Sequence, residues 1–152
     1  MPRFATDRRV AHSAGDMFAL VADIEAYPQF VPLCERLTVR RRDRQGDSEV
    51  LVADMTVGYK AFRETFTTRV TLDHQQRTIL ADYLDGPFRH LHNVWTFRPD
   101  GERACIVGFS IDYEFKSRVL AALMGTVFDR AFRKFSTAFE ERADRVYGAT
   151  AA

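Results

Sequence analysis

The chain has one tryptophan and only two cysteines, Cys34 and Cys105, far apart in its 152 residues. No CxxC pair and no Cys/His zinc spacing occurs, so neither a redox dithiol nor a metal centre is expected, and both thiols read as free and buried. Neither sign of charge dominates. Lys+Arg number 22 and Asp+Glu 21, a formal net charge of +1, which excludes the strong basic field that DNA binding would need. Long apolar runs are missing too. None approaches the ~20 residues that span a bilayer, and the opening MPRFATDRR has no signal-peptide core, so the expected location is the cytoplasm, with peripheral contact at the inner membrane face left open. What the chain has in excess is phenylalanine, thirteen against five tyrosines. Phe offers a large apolar surface with no polar atom to satisfy. That abundance suits a core, or the wall of a cavity for a flat or lipidic guest.

Hydrophobic residues make up 46% and charged residues 28%, an ordinary globular composition of a length that suits a single domain, residues 1–152, with its core over about 3–146 and a short C-terminal tail. Residues 4–14 read as a first strand. A helix opens at Ser13, a side-chain cap with Asp16 in the first turn, and carries Met17, Leu20, Val21 and Ile24 at helical spacing. Pro28 is expected to end it, leaving at most a short helical turn over 29–34. From residue 35 the period becomes two, with strands in RLTVRRRD, SEVLVADMTVGYK, AFRETFTTRVTLD, RTILADYLDG, FRHLHNVWTFRPDG and ACIVGFSIDYEF. Residues 117–148 then read as one long helix, from Ser117 as cap to Gly148 as stop, with Leu120, Leu123, Val127, Ala131, Phe135 and Phe139 on the buried stripe and Met124, Phe128 and Phe132 widening it. Mid-helix Gly125 suggests a close neighbour at that backbone. The fold class is therefore α+β, a curved antiparallel sheet of about seven strands wrapped around a long C-terminal helix, with one or two short helices after the first strand. One helix is about 10 Å wide and cannot fill such a sheet, so a hollow is expected between them.

Four segments carry a resemblance over about residues 3–146: VADIEAYPQFVPLC, MTVGYKAFRETFTTRVTLD, DGPFRHLHNVWTFRP and FSIDYEFKSRVLAALMGTVFDRAFRKFSTAFEERA. In this order they resemble the coenzyme-Q-binding protein and ribosome-association toxin family of the START-like, polyketide cyclase/dehydrase-type superfamily. The resemblance implies a helix-grip fold with a hydrophobic tunnel. It implies a ubiquinone-like polyisoprenoid lipid as bound ligand, with no other cofactor, and a chaperone role for that quinone in respiratory electron transfer. Its bacterial branch implies the alternative of a toxin that blocks ribosomal subunit association. No catalytic motif comes with it, so a binding protein is expected in preference to a cyclase or aromatase, for which Glu64, Tyr59, Tyr113 and His92 are the available acid/base groups.

The alternation assigns Leu51, Met55, Val57, Phe62, Phe66, Trp95, Phe109 and Tyr113 to the tunnel wall, closed by Leu123, Met124 and Val127 of the helix; solid packing of the same residues is the other reading. The proline-punctuated stretch EAYPQFVPLC places Tyr27, Phe30, Val31 and Leu33 as a lid or rim, or as a staple between helix and sheet. Phe30 and Val31 are expected at the ligand, and Tyr27, Phe30 and Leu33 at a membrane or partner. Arg40 and Arg42 share one side of a basic run and are the candidate anion contacts, against a plain solvated face. Glu64, on the face of Phe62 and Phe66, is the carboxylate that must pair, protonate or meet a ligand head group. His90 and His92 share a strand face but are too few for zinc.

Overall fold

The computed structural model describes residues 3–148; residues 1–2 and 149–152, with most of the expected tail, lie outside the described residues. The chain runs β1 (Arg3–Val10), α1 (Ala14–Ala22), a 3-10 helix (Ile24–Gln29), β2 (Cys34–Gln45), β3 (Ser48–Tyr59), β4 (Phe62–Asp73), β5 (Thr78–Asp85), β6 (Phe88–Pro99), β7 (Cys105–Phe115) and α2 (Arg118–Tyr147). The seven strands form one antiparallel sheet in the order β1-β7-β6-β5-β4-β3-β2, a six-strand meander with β1 returned to the edge beside β7. This is the expected helix-grip architecture.

Its beginnings and ends follow local chemistry. Ser13 Oγ accepts the backbone N–H of Asp16 at 3.1 Å and starts α1, and Ser117 Oγ does the same for Leu120 at 3.1 Å in α2. The first strand stops at Val10, short of residue 14, because the chain must turn there to place Ser13 as cap. α1 stops at Ala22, well before Pro28, and the backbone tightens into the 3-10 helix with Pro28 inside it. The fixed φ of proline suits 3-10 geometry, so Pro28 sets the shape of this piece and does not end α1.

Register shifts that leave out Glu35 and Arg40 in β2, Leu84 in β5 and Arg89 in β6 bend the strands. Such bulges raise local twist, and the sheet curls around α2. Gly86 closes the β5–β6 turn at φ +139°, where a Cβ would stand 2.6 Å from Phe66 Cβ; only glycine lets the turn lie against β4. Gly125 has no comparable reason. A Cβ there would meet nothing within 4 Å, so the expected close neighbour is absent among the described residues.

The concave face and the inner side of α2 meet through two aromatic clusters. Toward the N-terminal half of α2, Phe88 packs against Phe66 (5.3 Å between centroids), Phe115 (4.9 Å) and Phe128 (5.9 Å), with Tyr113 against Phe132 (5.1 Å). Toward the other end, Trp95 meets Phe109 (4.6 Å) and Phe139 (4.9 Å), and Phe139 meets Tyr27 (5.3 Å) and Phe30 (4.9 Å). Each buried ring contributes roughly 1.5–3 kcal/mol by removal from water. Phe135 joins the two clusters through Phe132 (5.3 Å) and Phe109 (5.8 Å), and together the rings prop the helix off the sheet around a gap.

Candidate functional site

That gap is a cavity of about 90 Å³ between sheet and helix. Three alanines account for it: Ala53 on β3, Ala81 on β5 and Ala131 on α2 all line it, where larger side chains would meet in the middle. Aliphatic and aromatic groups make the rest of the wall, among them Val70, Ile79, Leu91, Ile111, Phe132 and Phe139. The lining includes no carboxylate, lysine, arginine or histidine. Half-buried Pro32, Leu33, Leu37 and Met55 mark where it reaches the surface, between the loop before β2 and the β2–β3 pair. Apolar cavities of this order stay dry and accept small apolar guests.

The tunnel-wall expectations divide. Met55, Val57, Phe66 and Trp95 line the cavity, and so do Tyr27 and Leu33, which were assigned to external contact. Leu51, Val31, Met124, Phe109 and Tyr113 are buried but lie in the packing around the cavity, and half-buried Phe30, Phe62 and Val127 pack against that core. Leu123 is a correction: it is 69% exposed. At about 100° per residue, the face that buries Met124 and Phe128 turns Leu123 outward, whereas the sequence pattern placed it on the stripe. Glu64 is half-buried on the concave face, opposite Val57, but outside the cavity lining. Arg40 pairs with Asp54 at 3.5 Å, and Arg42 with Glu25 at 3.1 Å and Glu49 at 3.2 Å, so both cations are already engaged within the chain.

The remaining titratable groups lie elsewhere. His90 and His92 sit with Asp112 (3.2 Å) and Asp82 (2.6 Å) on strand positions alternate to the lining residues Leu91, Asn93 and Trp95, hence on the convex face. His12 is buried and meets Asp144 at 2.7 Å, tying the start of α1 to the end of α2. Tyr59 is exposed at the end of β3. Among the described residues no group of His, Cys, Asp and Glu has the geometry for a metal ion.

Sequence reasoning missed the polar points of the wall. Thr68 was visible only as an interruption of the apolar face of β4, and Asn93 as a polar residue in phase with Leu91 and Trp95. Both line the cavity.

The connector over the mouth is a fitted piece. Tyr27 donates its hydroxyl to the carbonyl of Val21, and burial pushes its phenol far up. Arg142 of α2 donates to Gln29 Oε1 at 2.8 Å and stands over the Phe30 ring at 5.1 Å. Leu33, φ 68°, adopts the left-handed region, and its carbonyl accepts from Gly58 N at 2.9 Å. A non-glycine residue there carries about 1–2 kcal/mol of strain.

Burial pushes the Cys34 and Cys105 thiols from 9.0 up to about 11, and the Tyr113 phenol from 10.0 up to about 12. The unfolded chain therefore ionises first as pH rises. Stability is expected to be complete below about pH 9 and to fall as pH climbs through 11. Urea midpoints measured across that range check this, and Cys105→Ala should flatten the decline.

A family described as polyketide cyclase/dehydrase and lipid transport matches residues 10–140. The ribosome association toxin RatA of Escherichia coli K12 is 34% identical over 149 residues, covering 98% of this chain and 91% of that protein. The mitochondrial coenzyme Q-binding protein COQ10 of Drosophila melanogaster is 31% identical over 143 residues, 91% of this chain but 57% of the fly protein. Among solved structures, an 18 kDa protein of Caulobacter crescentus is 36% identical with a TM-score of 0.80 over 98% of this chain and all of that one. The ZhuI aromatase/cyclase of Streptomyces, 17% identical with a TM-score of 0.81 over 98% of this chain and 99% of that one, shares the fold. With its helix-grip sheet, its propped helix and the cavity between them, the chain belongs to the polyketide cyclase/dehydrase and lipid transport family, with ribosome association toxins and coenzyme Q-binding proteins among its relatives.

Proposed function

We propose that this protein is a non-enzymatic carrier for a neutral, quinone-like polyisoprenoid lipid, which it shields in the cytoplasm and exchanges with a membrane in support of respiratory electron transfer. The observation that carries this reading is the cavity wall: apolar, held open by alanines and aromatic props, and without an ionisable acid or base at neutral pH. Moving apolar surface from water into such a hollow gains about 25 cal/mol per Å². The 31% identity to a coenzyme Q-binding protein supports the choice of guest.

The resting volume of about 90 Å³ is small beside the roughly 300 Å³ or more of a filled ligand pocket. Loading therefore widens the hollow, and the 24–33 connector is the piece that moves. Its ties to the rest of the fold, which loosen for it to move, are the Arg42–Glu25 pair, the Arg142–Gln29 and Tyr27–Val21 hydrogen bonds, the Gly58–Leu33 backbone bond and the contacts of Tyr27 and Phe30 with Phe139. Met55 at the edge of the opening adapts readily to a changed guest.

Exchange needs a surface that meets lipid. Val119 and Leu123, one turn apart at the start of α2, are 70% and 69% exposed, and Tyr59 and Leu84 are exposed near the ends of β3 and β5, which run to the same end of the sheet. Lys116 N donates to Pro87 O at 3.0 Å, which joins the β5–β6 turn to the foot of α2, and Gly58 joins the mouth loop to the same end. The side chains of Lys60, Lys116 and Arg118 stand here without an ion pair among the described residues, Lys60 over the Tyr59 ring, with Asp85 and Glu64 as the nearby unpaired acids. Bare aliphatics beside free cations fit an anionic lipid surface.

Native mass spectrometry of protein purified without detergent, followed by lipid extraction, tests the carrier reading. A quinone at near one-to-one ratio is the expected result. The second reading, action on the ribosome, is favoured by the 34% identity to toxins over nearly their whole length. An empty protein that co-sediments with ribosomal subunits and releases as salt is raised would replace the carrier by that reading.

A further inference from the structure

Thr68 is 8% exposed and Trp95 is 3% exposed, and both line the cavity. Neither the Thr68 hydroxyl nor the Trp95 indole N–H has a hydrogen-bond partner among the described residues. Asn93 also lines the cavity; its Nδ2 donates one hydrogen to Ser110 O at 2.8 Å, which fixes the amide and leaves its other N–H and its carbonyl oxygen unused. A buried donor without a partner is unfavourable, and native interiors avoid it unless water or a ligand supplies the acceptor. Two unpartnered donors on buried residues, Thr68 and Trp95, beside the half-buried Asn93 amide with an N–H to spare, mark a place in an otherwise apolar wall where an acceptor is meant to arrive.

Their placement is specific. Asn93 and Trp95 stand two apart on the same face of β6, and Thr68 lies on β4, two strands away. Two strand spacings are about 10 Å, and because Thr68 pairs with Tyr83, two residues along β5 from Ala81, it faces Asn93 diagonally, with Trp95 further along the sheet. Between them runs β5, where Ala81 pairs with Val70 on one side and Asn93 on the other and leaves open the floor that a larger side chain would cover. The donors therefore flank a flat bay. A ring with oxygens on opposite edges fits across it, one edge toward Thr68 and the other toward Asn93 and Trp95. The wall offers hydrogen-bond donors but no cation, so it favours neutral carbonyl or ether oxygens over a carboxylate, which would be desolvated without a counter-charge.

Resting on the carrier reading, we infer that Thr68, Asn93 and Trp95 form the head-group subsite for a neutral, acceptor-bearing ring. The lipid enters ring first, and its tail trails past Met55 and Leu33 to the opening. The subsite distinguishes a quinone from an isoprenoid hydrocarbon and from a fatty acid of similar length, which the apolar wall alone does not.

The test compares a short-tailed ubiquinone, the matching isoprenoid hydrocarbon and a fatty acid, titrated into the full chain and followed through the fluorescence of its single tryptophan, Trp95. The wild-type protein should bind the quinone at least 10-fold more tightly than either competitor. Thr68→Val, close to isosteric, should weaken quinone binding about five-fold, the share of one neutral hydrogen bond, and leave hydrocarbon binding unchanged. Adding Asn93→Leu should erase the preference; if that variant does not fold, Thr68→Val alone still decides. Equal binding of quinone and hydrocarbon by the wild type, or a Thr68→Val protein with its preference intact, overturns the subsite and leaves the carrier. Binding of none of the three overturns both.

Discussion

Ala81→Phe is expected to yield a folded protein that carries no lipid. Ala81 lines the floor of the cavity, and a phenyl ring grown from it points into empty space of about 90 Å³. Overpacking a full core costs roughly 1–3 kcal/mol, but here the ring enters a void, so the Tm should hold or rise. The quinone recovered from purified protein should fall more than 10-fold, measured by extraction and by native mass spectrometry. A control is Ala19→Phe, which adds the same ring to an exposed position of α1 and should not change loading. Full loading of Ala81→Phe would mean that the lipid binds elsewhere, and the carrier reading would lose its site. The comparison is cleaner than placing a charge at Phe66, because that ring belongs to the cluster around Phe88 and its loss would unpack the fold as well.

The same residue shows why some of the site was legible in the sequence and some was not. Alternation gave the strands and their inner faces, because a strand face has period two and tolerates no slip, and the width of a single helix beside a curved sheet gave the hollow. Met55, Val57, Phe66 and Trp95, which alternation turns inward, line the cavity. Alternation says nothing about which inward residues touch one another. Phe109 and Tyr113 point inward, yet they complete the end clusters, and the room exists where Ala53, Ala81 and Ala131 coincide across three elements. That coincidence is a tertiary fact. Helical periodicity is less sharp, since neighbouring stripes differ by a fraction of a turn. Leu123 and Leu120 therefore looked equivalent, although one is exposed and the other half-buried. The sequence left the connector open between a lid or rim and a staple of helix to sheet; its hydrophobic residues face inward, with Phe30 and Tyr27 packed on Phe139, so the exposed apolar surface lies instead at the foot of α2.

That surface leads to the second large effect. A Val119→Glu/Leu123→Glu variant should retain its quinone in solution but fail to pass it to vesicles. Full burial of a valine or leucine side chain gains roughly 1.5–3 kcal/mol, so two together give on the order of 3–6 kcal/mol, or at least 100-fold in membrane partitioning. Both side chains are exposed and support no packing, so the substitution should leave the Tm nearly unchanged. Vesicles of phosphatidylcholine with about a third phosphatidylglycerol should bind the wild-type protein more tightly than phosphatidylcholine alone, because Lys60, Lys116 and Arg118 each add roughly 1 kcal/mol at an anionic surface. Raising salt should weaken only that difference, since the aliphatic contribution is not screened. Wild-type protein that ignores vesicles of both compositions, or a double variant that transfers quinone at the wild-type rate, would remove the foot of α2 as the contact. Retention of the quinone by the variant separates this outcome from failure of the cavity, because Ala81 and Val119 sit on different elements and act on different steps, one on holding the lipid and the other on delivering it.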